Sequence, residues 1–222
     1  SALDQQLIEA LSEKLARQTD SQRDQLADIA SHFPDQLVES ELGLIPEEWA
    51  PTTTLESLIE LAYGKALKKT DRKPGPFTVY GSGVVTGSHN VLLVDGPGVV
   101  VGRKGTVGSL YWEVRPFFTI DTVFFVKVID DVPLTFAFYL LQTLGLEDMN
   151  TDATVPGLNR DNVYRLDIPI FPEKLMAIFA DYALVICDQM RANTAQISSL
   201  ISVRDSLLPK LLSGELTVQD EA

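Results

Sequence analysis

The chain has 222 residues, a formal net charge of −13 and a single cysteine, Cys187. That length is enough for one sizeable core with extensions, or for two small domains. One cysteine excludes an internal disulfide, and no apolar run approaches the roughly 18 residues of a membrane span. The N-terminus is polar and acidic and reads as no secretory signal, so a cytoplasmic location is expected.

Residues 2–31 read as a helix, with Leu3, Leu7, Leu11 and Leu15 recurring every four positions and Leu26, Ala27, Ile29 and Ala30 following a polar middle. Pro34 ends it, and an acidic linker follows from Asp35 to Pro51. Thr54 is placed to cap a short helix over Leu55–Tyr63, with Glu56 in its first turn. Lys65–Pro76 is a basic, proline-containing loop. Five stretches rich in β-branched and aromatic residues read as strands: Phe77–Tyr80, Val91–Val94, Gly98–Val101, Ser109–Val114 and Thr122–Val128. Leu134–Leu144 reads as a buried helix, and Leu158–Pro172 as a short strand with a polar lead-in.

From Pro172 to Leu212 there is one proline, Pro209, and no glycine. This predicts a helix about 60 Å long. Met190, Asn193, Ile197, Leu200, Arg204, Leu207 and Leu211 repeat in alternating steps of three and four, the seam of a coiled coil. An amphipathic helix on a globular core would repeat similarly, but the length exceeds a small domain's diameter. Polar Asn193 and Arg204 in the seam imply a fixed register. The two flanking helices could pair with each other or with helices of another chain. The fold expected is α/β, a mixed α+β domain with long flanking helices forming a coiled-coil arm.

Charge is unevenly spread. Residues 64–115 carry eight basic and three acidic side chains, whereas residues 1–63 carry three basic and thirteen acidic ones. The basic stretch holds two glycine-rich motifs, with glycines at 81, 83 and 87 and at 102, 105 and 108. Their spacing fits neither a dinucleotide fingerprint nor a phosphate-binding P-loop. His32 and His89 share no metal-ligand spacing with Cys187, and no serine elbow or aspartate-rich cluster is present. Asp130-Asp131 and Glu147-Asp148 read as ordinary acidic turns. No catalytic residue, cofactor site or metal site is expected.

Four segments carry a family resemblance. LNRDNVYRLDIPIFPEKL (from Leu158) followed by SVRDSLLPKLLSGELTV (from Ser202) resembles the end of a specificity subunit of a type I restriction-modification system. FPDQLVESELGLIPEEW (Phe33–Trp49) is similar to the entry to a target-recognition domain of that family. VYGSGVVTGSHN (Val79–Asn90) and GVVVGRKGTVG (Gly98–Gly108) are similar to its interior. The resemblance implies an N-terminal helical region at 1–33, a target-recognition domain at 34–171 and a conserved helix with its tail at 172–222. It also implies a non-catalytic reader of double-stranded DNA. Methyl transfer and cleavage would belong to methyltransferase subunits and, through them, the restriction subunit. With one recognition domain, the chain resembles half of such a subunit, either its C-terminal half with part of the central helix or a naturally half-sized protein, and a homodimer through the helices is a further expectation.

On that footing the basic stretch is expected to face DNA. Lys65, Lys68, Lys69, Arg72 and Lys73 suit phosphates. Arg103 and Lys104 suit phosphates or guanine edges, and Ser82, Thr86, His89 and Asn90 suit base edges. The competing reading is turn-forming glycines with solvated neighbours. At the level of the whole chain, the competing reading is a protein-interaction scaffold with an α/β domain, a coiled-coil arm and no nucleic-acid role.

Overall fold

The structure, a computed structural model, describes residues 19–33, 36–40, 43–49, 52–82, 84–150 and 157–215. The chain divides into two compact units, one ending at Phe179 and one beginning at Ala180.

The first unit is organised on a four-stranded antiparallel sheet. Its order is β4 (Ile59–Tyr63), β10 (Val123–Val128), β7 (Gly98–Gly102), β8 (Leu110–Glu113). Strand β7 is buried at every position, because both of its faces are covered. Val99 and Val101 point into the main core with Leu61, Phe124, Leu141 and Ile168, while Val100 points into a smaller core with Tyr80, Phe117 and Val123. Adjacent residues of β10 divide in the same way, Val123 to one side and Phe124 to the other, as a two-residue period requires. A strand buried on both faces reads as an unbroken apolar run, which is why β7 and β10 were legible without alternation. Helix α2 (Leu134–Thr143) packs on this sheet through buried Ala137 and Leu141.

A second sheet has the order β6 (Val84–His89), β5 (Phe77–Gly81), β9 (Phe117–Thr119), with β5 and β9 parallel. Strand β11 (Asp167–Pro169) pairs with β3 (Thr52–Thr54), and β1 (Leu37–Ser40) forms a hairpin with β2 (Gly43–Pro46).

Several expectations are corrected. Leu55–Tyr63 is not a helix: Leu55–Ser57 makes one 3-10 turn and β4 follows, paired antiparallel with β10 from Tyr63↔Phe124 to Ile59↔Val128. Thr54 precedes that turn without a side-chain capping bond. Ile59 and Leu61 reach the core two residues apart, so pairing with β10 decided between two periods that a short apolar run fits equally. Val91–Val94 is not a strand; Val91 and Leu92 are exposed and only Val94 bridges, to Phe117. The strand that follows and pairs with β5 is β6, upstream of Val91–Val94. The linker holds the β1–β2 hairpin and a 3-10 turn at Glu47–Trp49. The polar lead-in at Leu158–Pro172 is helix α3 (Arg160–Tyr164), capped by Asn159, whose side-chain oxygen accepts the Asp161 and Asn162 N–H groups at 2.9 and 3.3 Å. Strand β9 was not foreseen.

The N-terminal helix is described as α1 (Asp20–Ala30); its leucines at 3, 7, 11 and 15, and Pro34, lie outside the described residues. Helix α4 (Glu173–Leu212) has 40 residues and contains Pro209. Its first two turns belong to the first unit, where Met176 is buried and Phe179 meets Phe136 and Tyr139 edge to face. Phe136 in turn meets Phe171, Phe171 meets Trp49, and Trp49 meets Phe33, so a row of rings ties these turns to the domain. In the second unit, Met190, Ile197, Leu200, Leu207 and Leu211 are all exposed. Asn193 accepts from Gln189 at 2.9 Å, and Arg204 bonds Asp205. Among the described residues no helix is long and apolar enough to cross a membrane.

Candidate nucleic-acid interface

Thr122, on the turn into β10, gathers the site. Its carbonyl accepts the backbone N–H groups of Arg103 and Lys104 at 3.2 and 3.0 Å. Its hydroxyl accepts the Ser82 N–H at 2.7 Å, and the Thr106 hydroxyl donates to the Ser82 carbonyl. Ser82 sits at the turn of the β5–β6 hairpin with φ of 51°, a left-handed conformation that costs a non-glycine residue energy and here recurs beside candidate ligand contacts.

The loop after β7 is closed at its base, with Gly102 N–H donating to Ser109 at 2.8 Å and Gly108 N–H donating to Gly102 at 2.9 Å. Gly102 is required there, because a Cβ would stand 1.9 Å from the Thr106 carbonyl oxygen. Arg103 and Lys104 therefore leave the end of β7 in a fixed direction.

Two residues complete this group. The guanidinium of Arg103 lies 5.0 Å from the Tyr63 ring centroid and 5.7 Å from that of Phe124, and its Nη1 donates to the Asp121 carbonyl at 2.9 Å. The Arg103 carbonyl accepts the Leu158 N–H at 2.8 Å, and Lys104 bridges Gly157. This tether brings helix α3 alongside. Arg160 consequently lies 5.0 Å from the same Tyr63 ring and 5.5 Å from Tyr164, whose hydroxyl accepts the Leu61 N–H at 2.9 Å. Tyr63 is 47% exposed. Lys65, held by its N–H to the Thr119 carbonyl at 3.0 Å, exposes its side chain nearby. Neither Tyr63 nor Arg160 was singled out from sequence. Tyr63 read as the end of a helix, and Arg160 lies far from the basic stretch. The Asn159 cap was the one local sign that Arg160 begins a helix.

A second basic group borders β6, at the other end of the hairpin, roughly 16 Å away along β5. Lys68, Lys69 and Lys73 are exposed. The Lys73 N–H donates to His89 Nδ1 at 3.2 Å. His89 itself is buried edge-to-face against Phe118, so its ring holds the loop. Arg72 donates from Nη1 to the Thr86 carbonyl at 2.7 Å and to its hydroxyl at 3.2 Å, and that hydroxyl donates to the Val79 carbonyl at 3.2 Å. The expected contacts therefore separate. Lys65, Lys68, Lys69, Lys73, Ser82, Asn90 and Lys104 present exposed side chains, whereas Arg72, Thr86 and His89 fasten the loop to the sheet.

Behind the site, Tyr80 donates to Glu113 at 3.0 Å, and Glu113 also accepts the Arg115 N–H at 3.0 Å. Burial, followed by the Glu113 charge and hydrogen bond, pushes the Tyr80 phenol well above its ordinary pKa. Among the described residues no group of three or more His, Cys, Asp or Glu could hold a metal ion.

No family model matches the chain, and no curated protein matches it. Solved structures do. The type I restriction-modification S subunit from M. genitalium superimposes with a TM-score of 0.64 at 23% identity, over 73% of this chain and 46% of that one. A structure concerned with complex assembly and conformational transition of the type I R-M system gives 0.51 at 16% identity, over 94% and 56%. The HsdS subunit from Thermoanaerobacter tengcongensis gives 0.50 at 17%, over 97% and 56%. The chain has the fold of type I S subunits and spans about half the length of those it matches.

Proposed function

We propose that this chain is a sequence-specific DNA-recognition subunit of a type I restriction-modification system. Residues 34–171 act as its target-recognition domain, with 1–33 and 172–222 as helical regions that join it to other subunits. One observation carries the reading: in an S-subunit fold, cations from three separate parts of the chain (Lys65, Arg103 with Lys104, and Arg160) meet at one end of the sheet. A duplex presents, on each strand, a phosphate about every 3.4 Å of helix axis, so cations gathered at one end of the sheet can meet neighbouring phosphates. Local positive potential suffices against the chain's overall −13, because screening confines each charge to roughly 8 Å.

The chain itself performs no chemistry in this reading. It binds target DNA and presents it to methyltransferase subunits, and through them to the restriction subunit, in the cytoplasm. The exposed seam of α4 supports a helical partner, either a second copy that supplies the other half of the subunit or a partner subunit's helix. The alternative is a scaffold with no nucleic-acid role.

A salt titration on a labelled duplex of mixed random sequence separates the two. Three to six phosphate contacts give log K a slope of roughly −3 to −5 against log salt. A scaffold gives no salt-dependent binding, and that result would remove the DNA reading.

A further inference from the structure

We propose that Tyr63, Arg103 and Arg160 form a clamp for one backbone phosphate of the bound DNA strand, and that Arg103 therefore positions the duplex and does not read a base. This rests on the DNA-reading function above and assigns a role within it.

Both guanidiniums lie 5.0 Å from one ring centroid, so they stand no more than 10 Å apart. The negative face of the aromatic ring attracts each cation and holds it near the ring. With both cations within 10 Å of each other, an anion that both reach offsets their mutual repulsion. A second observation points the same way: among the described residues, Nε of Arg160 is shielded from solvent without a hydrogen-bond acceptor. Asp161 Oδ1, at 4.0 Å, is beyond hydrogen-bond reach. A partly exposed guanidinium that no carboxylate hydrogen-bonds, beside another cation on an exposed ring, suits a ligand oxygen carrying negative charge at its terminal nitrogens.

Why a phosphate, and not a base edge? A guanidinium that reads guanine extends both prongs of its fork to O6 and N7 in the groove. Arg103 has one prong committed to the Asp121 carbonyl, and its backbone is pinned on both sides, by Thr122 and by Leu158. It is fixed in place and short of reach. A phosphate offers oxygens in several directions and accepts from two converging guanidiniums without demanding a particular base.

The test uses the full chain and a labelled duplex pool of random sequence. Arg160→Ala and Arg103→Ala should each reduce the slope of log K against log salt by less than about 0.9, and the double variant should reduce it by about 0.9, the share of one phosphate. The affinity ratio of parent to double variant then shrinks about 3.5-fold between roughly 50 and 200 mM salt. Arg160→Lys keeps the charge and should keep the slope. If Arg160→Ala fails to fold, Arg160→Gln repeats the measurement with a neutral side chain of similar polarity. Duplexes selected from the pool by the parent and by Arg103→Ala should share one enriched motif, since a phosphate contact carries no sequence information. Loss of one position from the motif with Arg103→Ala would make that residue a reader and overturn the assignment. An unchanged slope in the double variant, or a loss near about 1.8 that assigns the two arginines to separate phosphates, with a normal slope in the parent, would remove the clamp and leave the reading function standing. A parent chain that shows no salt-dependent binding would remove both.

Discussion

Arg72 provides a sharp separation between a residue that builds the interface and one that touches DNA. From sequence it belongs with Lys68 and Lys69 as a phosphate contact. In the fold it closes a defect in an edge strand. The β5–β6 pairing shifts register between Val79 and Tyr80, Val79 facing Gly87 and Tyr80 facing Val85, so Thr86 is the extra residue of a β-bulge. Its carbonyl lacks a ladder partner, and the Arg72 guanidinium supplies one at 2.7 Å, with a second contact to the hydroxyl at 3.2 Å. A hydrogen bond from a charged donor contributes about 1.5–3 kcal/mol. Arg72 is only partly buried, and water can reach part of what it leaves, so Arg72→Ala should cost nearer 1–2 kcal/mol. For a chain of this size that lowers the melting temperature by roughly 2–8 °C. Lys68→Ala and Lys69→Ala, exposed and remote from the bulge, should leave the melt unchanged and flatten the salt slope by about 0.9 each. Thermal denaturation and a salt titration on the same variants decide the matter. If Arg72→Ala melted with the parent yet lost salt slope like the lysine variants, the structural role assigned here to Arg72 would be refuted.

Two further outcomes follow from the helix and from the buried phenol. Leu200 and Leu207 are 60% and 42% exposed, so covering both recovers about one leucine's worth of burial, roughly 1.5–3 kcal/mol per chain. Leu200→Asp with Leu207→Asp should therefore weaken association at least about tenfold, read by sedimentation of the chain alone and with methyltransferase subunits; an unchanged assembly state would place the contact elsewhere. Tyr80 binds its proton more tightly folded than unfolded, so its contribution to stability is complete below the ordinary tyrosine pKa near 10 and is lost as pH rises through the folded value. Urea melts above about pH 10 should show stability falling by up to ~1.4 kcal/mol per pH unit from this group, and Tyr80→Phe should remove that increment; parallel pH curves for the two proteins would contradict it.

The sequence by itself determined what depends on a chain's own neighbours. Forty residues without glycine specify α4, and its three-four repeat specifies an apolar stripe interrupted by Asn193 and Arg204, whatever covers it. The valine run of β7 and the valine and phenylalanine run of β10 specify strands, because β-branched and aromatic residues suit a covered, pleated sheet. The clustering of positive charge between Lys65 and Arg115 was legible by counting.

Tertiary structure alone decided what depends on a partner distant in sequence. Ile59–Tyr63 fits a helix or a strand, and the edge of β10 settled the choice. Val84–His89, and not Val91–Val94, forms a strand because it pairs antiparallel with β5, with Arg72 and His89 fastening it to the preceding loop. The meeting of Tyr63, Arg103 and Arg160 was invisible for the same reason: each residue is ordinary in its own segment. Their proximity arises only when Thr122 and Leu158 tie the β7 loop to β10 and to α3. Pattern along a chain records burial and local torsional preference, whereas a binding surface is made by closing long loops, and the residues it brings together carry no shared periodicity.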